Sequence, residues 1–307
     1  MIAQVLFTLG LVLLTSLVGC FRPSSLLPIA VRHSLTTASG FTSSLNMIME
    51  GFGGRTAFLA DKPDVYLKTC LRLSVEGCKA ALADGNMLIE VEFPPLLKSD
   101  ISVGETLDTN RLFVKDMVKS FESFGKDLWL VFPDQKEASL AKKKWGNAEL
   151  SFTLTSIPGA KLAPPESQPK LIIAVNPGFN IEEWIELPNI RRGSCAIIVV
   201  NGNIDRLRAG YYPSLFYPGL AKVTKSFYSN FVQALFLSPV AVSGDRFGSW
   251  LVKKYSSRWE LLVRSVDKRA TTYDVILSTE NYPDAKKCWS IAKKKYTEDR
   301  GMNSWGI

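Results

Sequence analysis

Two five-residue runs, LIIAV (Leu171–Val175) and AIIVV (Ala196–Val200), contain only apolar residues, most of them β-branched. A strand with one wet face alternates polar and apolar positions. A run with no polar position has both faces covered, as in the middle of a parallel sheet. The segment between them, NIEEWIEL, has helical spacing and supplies the crossover that a parallel pair needs. These two runs therefore restrict the chain to an α/β architecture.

The surrounding sequence extends this pattern. DVYLKTCLRLSVEGCKAALADG places Leu67, Leu71, Val75 and Cys78 at helical spacing and stops at Gly85. MLIEVEF alternates with period two, with Ile89, Val91 and Phe93 on one face and Glu90 and Glu92 on the other, so the glutamates mark a solvent-facing or edge side. The helix NRLFVKDMVKSFESFG, the strand DLWLVF and the helix DQKEASLAKKKWG follow, the last begun by Asp134 as an N-cap. AELSFTLTSI (Ala148–Ile157) reads as a further strand, and the proline-rich stretch 158–170 as a linker or long surface loop between two halves. Beyond NGNIDRLRAGYYPSLFYP, the segment GLAKVTKSFYSNFVQALF spaces Leu220, Val223, Phe227, Phe231 and Leu235 as one helix. GSWLVKKY, RWELLVRS and TTYDVILST then follow closely enough to be antiparallel, and DAKKCWSIAKKKY forms a final helix. The expected fold is an open α/β sheet, parallel in the centre, with an antiparallel C-terminal extension and helices on both faces. One domain is expected over residues 60–298.

In open α/β sheets ligands bind at the carboxyl ends of the strands. Four strands end in similar punctuation: FPP at Phe93, FPD at Phe132, NPG at Asn176 and NGN at Asn201. A parallel arrangement brings these ends to one rim carrying Asp134, Asn176, Asn201, Asp205, Arg206 and Arg208. Asn-Pro-Gly and Asn-Gly-Asn are also ordinary turn formers, and Asp205 and Arg206 can simply pair with neighbours, so a structural role weighs more than chemistry. No catalytic residue is assigned among them.

Several chemistries are excluded more firmly. The single histidine, His33, lies in the N-terminal leader described below, so removal of that leader leaves no Ser-His-Asp or Cys-His machinery and no histidine ligand for zinc. Cys70, Cys78, Cys195 and Cys288 form no C-x-x-C pair and read as reduced, buried thiols. No G-x-x-x-x-G-K-[ST] loop occurs, and GFGG at Gly51 lacks the strand that a nucleotide fingerprint follows. No metal and no cofactor is expected. The net charge of +8 is spread along the chain without a basic strand interleaved with aromatics, so no nucleic-acid partner is expected either.

The first 50 residues have another composition. Ile2–Gly19 is uncharged and apolar, no acidic residue precedes Glu50, and Phe21–Asn46 holds nine Ser or Thr with two Arg. The apolar run could be a membrane anchor, or LVGC (Leu17–Cys20) a lipoprotein signal, although the absence of Lys and Arg from Met1–Gln4 argues against bacterial export. The favoured reading is a two-part leader. Residues 1–20 form a signal peptide cleaved before Phe21, and residues 21–50 a plastid transit peptide of the kind found in complex plastids, with the mature chain starting between Asn46 and Asp61.

LIEVEFPPL (Leu88–Leu96), LWLVFPD (Leu128–Asp134) and GSWLVKKYSSRWELLVR (Gly248–Arg264) resemble a plastid and cyanobacterial family defined by a domain of unknown function. That family includes the chloroplast factor named for low photosystem II accumulation. Members often carry an aromatic-Pro-Gly-x-Trp; here Tyr255-Ser256-Ser257-Arg258-Trp259 keeps the aromatics and lacks Pro-Gly. The resemblance implies a stromal auxiliary protein that assists photosystem II assembly at the thylakoid, and it transfers no catalytic residues. The expectation is thus a plastid protein with a protein partner at the thylakoid and peripheral association with the membrane. The alternative is an enzyme or sensor that binds a phosphorylated or carboxylated small molecule through Arg206 and Arg208, with Asp205 as base or metal ligand.

Overall fold

The structure, a computed structural model, describes residues 59, 63–98, 100–146, 150–242, 244–265 and 272–300. The expected leader, residues 1–50 with Cys20 and His33, lies outside these residues. A nine-stranded sheet carries the fold, in the order β3-β2-β4-β5-β1-β6-β7-β8-β9. Its strands are β1 (Leu88–Glu92), β2 (Leu128–Phe132), β3 (Thr153–Ser156), β4 (Leu171–Val175), β5 (Ala196–Val200), β6 (Val232–Pro239), β7 (Ser249–Lys254), β8 (Trp259–Arg264) and β9 (Tyr273–Thr279). From β3 to β6 the neighbours are parallel, and from β6 to β9 antiparallel. The apolar runs LIIAV and AIIVV are adjacent, in register from Leu171–Ala196 to Val175–Val200, and buried throughout.

The helices are α1 (Pro63–Ala83), α2 (Val103–Lys119), α3 (Gln135–Trp145), α4 (Ile157–Leu162), α5 (Ile181–Glu186), α6 (Ile204–Arg208), α7 (Pro218–Ser226) and α8 (Ala285–Asp299). One face of the sheet is covered by α1, α2 and α3. Phe113 of α2 packs on Phe93 with ring centroids 4.4 Å apart, and Trp145 of α3 on Phe132 at 6.2 Å. Helix α1 lies so close to β6 that a Cβ on Gly77 would sit 2.5 Å from the Ala234 carbonyl oxygen. The opposite face holds two apolar clusters. Over the parallel strands, Leu88, Val131, Ile172, Ile197 and Val199 meet Trp184, Leu207, Leu220 and Tyr228. Over the antiparallel strands, Phe236, Leu251, Trp259 and Leu261 meet Cys288, Ala292 and Tyr296 of α8. Cys70, Cys78, Cys195 and Cys288 are all buried and unbridged, and burial pushes the Cys70 thiol up to about 12.

Four local expectations need correction. The segment 219–236 is not one helix: α7 ends at Ser226, a 3-10 turn spans Tyr228–Asn230, and Val232 opens β6. Ser226, Ser229 and Asn230 turn their side chains back onto the carbonyls of Lys222, Lys225 and Ser226, which competes with continuation of the helix. VQALFLSP is then claimed by β1 on one side and β7 on the other. Among the described residues the strand expected over 148–157 covers Thr153–Ser156, and it ends there because Ser156 accepts from the Gly159 N–H at 3.1 Å and Pro158 enters a first helical turn. The stretch 158–170 begins inside α4 and does not divide the sheet, since β2 and β4 on either side of it are hydrogen-bonded neighbours. Finally, Glu90 and Glu92 do not face solvent from an edge. Strand β1 lies between β5 and β6, and the Glu90 side chain is fully buried.

Candidate functional site

Four parallel strand ends do converge on one rim. The ladder continues past the strands, with the Asn176 N–H on the Val200 carbonyl and the Asn201 N–H on the Val91 carbonyl, both at 2.8 Å. Asn176, Asn201 and Asn203 then take φ of 48°, 51° and 50°, the left-handed region that asparagine tolerates better than most residues. A fourth residue joins them. Asn110, in the middle of α2, donates to Asn176 Oδ1 at 2.7 Å and accepts from Asn201 Nδ2 at 2.8 Å, while Asn201 Oδ1 accepts from the Phe93 N–H at 2.9 Å. All three amide side chains are buried. They tie α2 to the ends of β1, β4 and β5.

The remainder of the rim is committed in a similar way. Asp134 caps α3, accepting from the Glu137 N–H at 2.8 Å. Glu183 accepts from the N–H groups of Gly178 and Phe179, at 2.8 and 3.1 Å, and burial raises its pKa. Gly178, at φ 118°, lies under the Trp184 ring, where any Cβ would collide. The Trp184 indole N–H donates to the Gly202 carbonyl at 2.9 Å.

A second polar cluster lies on the other face of β1, between the two apolar clusters. Leu88 points into the cluster under α5–α7, so by alternation Glu90 and Glu92 point to the same face. Arg208, the last residue of α6, turns inward and places Nη1 2.6 Å from Glu90 Oε2. Gln233 of β6, directly opposite Glu90 in the register, donates to the same oxygen at 3.1 Å. Glu90 Oε1 has no hydrogen-bond partner among the described residues. The Asn203 N–H donates to Glu92 Oε2 at 3.0 Å. Asp205 stands near both glutamates, and Tyr282 closes the cluster from the antiparallel side, with its ring edge-on to Trp259 at 4.8 Å.

Burial dominates the electrostatics of this seam. It raises the pKa of Glu90 against the opposing pull of Arg208. It raises Glu92 well above the usual carboxylate range, and the negative charges of Asp205 and Glu90 add to the effect. Burial likewise raises Asp205, opposed by the Arg206 backbone and by the charges of Arg206 and Arg208. The Tyr282 phenol is pushed up to about 12, first by burial and then by the Asp205 charge. Three carboxylates that resist ionisation, beside one half-buried and one exposed arginine, form a concentration of perturbed groups of the kind that marks functional sites and ion-pair networks alike. Among the described residues no group of three or more His, Cys, Asp or Glu has a geometry that could hold a metal ion.

The six residues expected at one rim therefore fall into four settings. Asn176 and Asn201 come together through Asn110, Asp134 is a helix cap, Arg208 and Asp205 belong to the seam, and Arg206 is exposed. Sequence reasoning missed Asn110, Glu90, Glu92, Gln233 and Tyr282. The signal available was the pair of glutamates in a strand flanked by wholly apolar ones, which only the strand order identifies as central. Two hollows among the described residues lie away from both clusters, one lined by Trp129, Thr153 and Ser167 and another beside Trp289.

The loop between α6 and α7, residues 209–217, presents the most exposed aromatic surface of this region. Tyr211 is 70%, Leu215 83% and Phe216 72% exposed. Its base is firmly held. Tyr212 packs edge-on to Trp184 at 5.4 Å, the Tyr211 N–H donates to the Arg206 carbonyl, and the N–H groups of Phe216 and Tyr217 share the Pro213 carbonyl.

A family model described as Domain of unknown function (DUF1995) matches residues 66–289. No curated protein and no solved structure matches the chain. No helix among the described residues is long and apolar enough to cross a membrane.

Proposed function

The chain belongs to the DUF1995 family, and on that footing we propose that it is a plastid auxiliary protein that works by binding, assisting assembly of photosystem II at the stromal face of the thylakoid. One observation carries the binding half of this reading. The polar groups at the strand ends, where an α/β enzyme would keep its reactive set, are engaged in holding the fold: Asp134 as a cap, Asn110, Asn176 and Asn201 as a buried network. What the molecule presents outward near the same end is instead the apolar, aromatic loop at 211–217. The plastid half rests on the sequence: the apolar run Ile2–Gly19, the acid-free Ser/Thr-rich stretch from Phe21 to Asn46, and the resemblance carried by LIEVEFPPL and LWLVFPD. The test is affinity purification of the tagged protein from gently solubilised plastids, with mass spectrometry of what accompanies it. Stoichiometric photosystem II subunits or assembly intermediates support the reading, and a soluble protein that comes through alone counts against it. The N-terminus found in the same sample tests the leader, which predicts a start between Asn46 and Asp61.

A second reading keeps one specific observation in its favour. Arg206 is exposed beside Asp205 and Glu92, whose ionisation is suppressed by burial, so a phosphorylated or carboxylated small molecule would find a cation at the mouth of the seam. Such a ligand would raise the melting temperature by mass action. A screen of nucleotides, sugar phosphates and organic acids that leaves wild type and Arg206→Ala equally unshifted removes this alternative.

A further inference from the structure

The exposed loop between α6 and α7 combines two properties that the proposed binding role does not by itself require. The first is apolar exposure on a rigid base. Tyr211, Leu215 and Phe216 project outward, yet the backbone beneath them is fixed by hydrogen bonds to Arg206 and Pro213 and by Tyr212 wedged against Trp184. Rigid aromatic anchors lose little conformational freedom when they are buried. The second is charge. From Arg206 to Gly244 the sequence contains no Asp or Glu, while Arg206 on α6 and Lys222 and Lys225 on α7, the helices that flank the loop, are exposed. An aromatic and leucine tip on an acid-free segment, flanked in sequence by Arg206, Lys222 and Lys225, is complementary to an anionic bilayer. Aromatic rings settle at the headgroup level, apolar side chains enter the acyl boundary, and lysine and arginine meet lipid phosphates.

We propose that residues 211–217 are a membrane-interface loop that docks this protein on an anionic lipid surface, with Leu215 and Phe216 inserted and Arg206, Lys222 and Lys225 facing the headgroups. This deepens the reading of the protein as a factor working at a membrane and names the surface that makes the contact. A protein partner is the competing occupant, and its surface would need complementary acidic groups around an apolar pocket.

The test is co-sedimentation of the chain without its expected leader, residues 1–50, with vesicles of phosphatidylcholine alone or mixed with phosphatidylglycerol. Binding is expected to the mixed vesicles and not to neutral ones, and to weaken as salt is raised. Leu215→Glu with Phe216→Glu should reduce it to background. Lys222→Glu with Lys225→Glu should lower it by at least about tenfold, since each cation near the surface contributes on the order of a fivefold gain. Lys286→Glu with Lys287→Glu, on α8, makes the same change in net charge elsewhere and should have a clearly smaller effect. All these positions are exposed, so unchanged circular dichroism and melting are expected, and the second pair still tests the site if the first fails to fold. Equal losses from the two lysine pairs would show attraction by net charge alone and overturn the assignment. So would full binding by the Leu215/Phe216 variant, or no binding of wild type to the anionic vesicles. Were wild type to ignore vesicles while the Leu215/Phe216 variant lost a photosystem subunit in the purification above, the loop would be a protein-docking surface. The auxiliary-factor reading would then stand without the lipid one. Vesicle binding with no photosystem partner would do the reverse.

Discussion

Strand β1 takes part in two polar clusters of opposite character. On the side of α2, Asn110, Asn176 and Asn201 link three strand ends through neutral amides, each with a partner at 2.7–2.9 Å. On the side of α6, Glu90, Glu92 and Asp205 meet Arg208 and Gln233, and one carboxylate oxygen of Glu90 lacks a partner among the described residues. Both are buried at a sheet centre that is otherwise apolar. The amide cluster carries no charge, so burying it costs little once its hydrogen bonds are made. The ionic cluster carries a desolvation cost that its contacts only partly offset, which is why its carboxylates resist ionisation. The first is a fastener. The second is a stress point in an otherwise consistent fold, and stress of that kind is where function or specificity is usually found.

The largest expected effect lies in the seam. Arg208→Leu leaves Glu90 buried without its cation and should cost about 3–5 kcal/mol in denaturant unfolding. Replacing both, with Glu90→Leu and Arg208→Leu, should recover most of that loss. A double variant as unstable as the single would mean that the pair is held by more than its own contact. Next, Asn110→Ala strands Asn176 Oδ1 and Asn201 Nδ2 and should cost about 2–3 kcal/mol, with no dependence on pH, because nothing in that cluster titrates.

The pH profile separates the two regions more sharply. Glu90, Glu92 and Asp205 have folded pKa values above their unfolded ones, so the folded chain holds more protons between the two values. Their contribution to stability is fully present below the ordinary carboxylate range and is lost as pH rises through the raised values. Glu105, Asp108 and Glu186 are shifted the other way and lose their contribution as pH falls. The seam is therefore read as a difference: Glu92→Gln should gain on wild type as pH climbs from about 4 to neutrality, and Asn110→Ala should run parallel to wild type throughout. The smallest effect belongs to the rim's cap, where Asp134→Ala should lower stability by about 1 kcal/mol and change no ligand response in the thermal screen.

The architecture was largely legible, and for one physical reason. LIIAV and AIIVV have no polar position, so they had to lie inside a parallel sheet, and the turn residues after each strand had to reach one end of it. What could not be read was context outside the segment itself. MLIEVEF alternates as a half-exposed strand does, and only β6, recognised as a strand, makes β1 interior. That strand hid behind Phe227 and Phe231, whose helical spacing ran on from α7 through a turn that side-chain hydrogen bonds impose. Asn110 sits in NRLFVKDMVK as an unremarked polar residue on a helix, and its partners are 66 and 91 residues away. The turn at Ser256 shows the converse. Its φ of 62° is closed to proline, so the absence of Pro-Gly there goes with a different kind of turn.

The close approach of α1 to β6 has a consequence for how the molecule opens. Behind the seam, on the other face of the sheet, the Gly77 backbone rests on Ala234, one residue beyond Gln233. The helix acts as a splint across the joint between the parallel strands and the antiparallel extension, at the level where the ionic face is weakest. Amide hydrogens of α1 and β6 should then exchange only with global unfolding, as the slowest group in the protein. Gly77→Ala, which pries the splint from the sheet, should let the β6–β9 extension exchange ahead of β4 and β5.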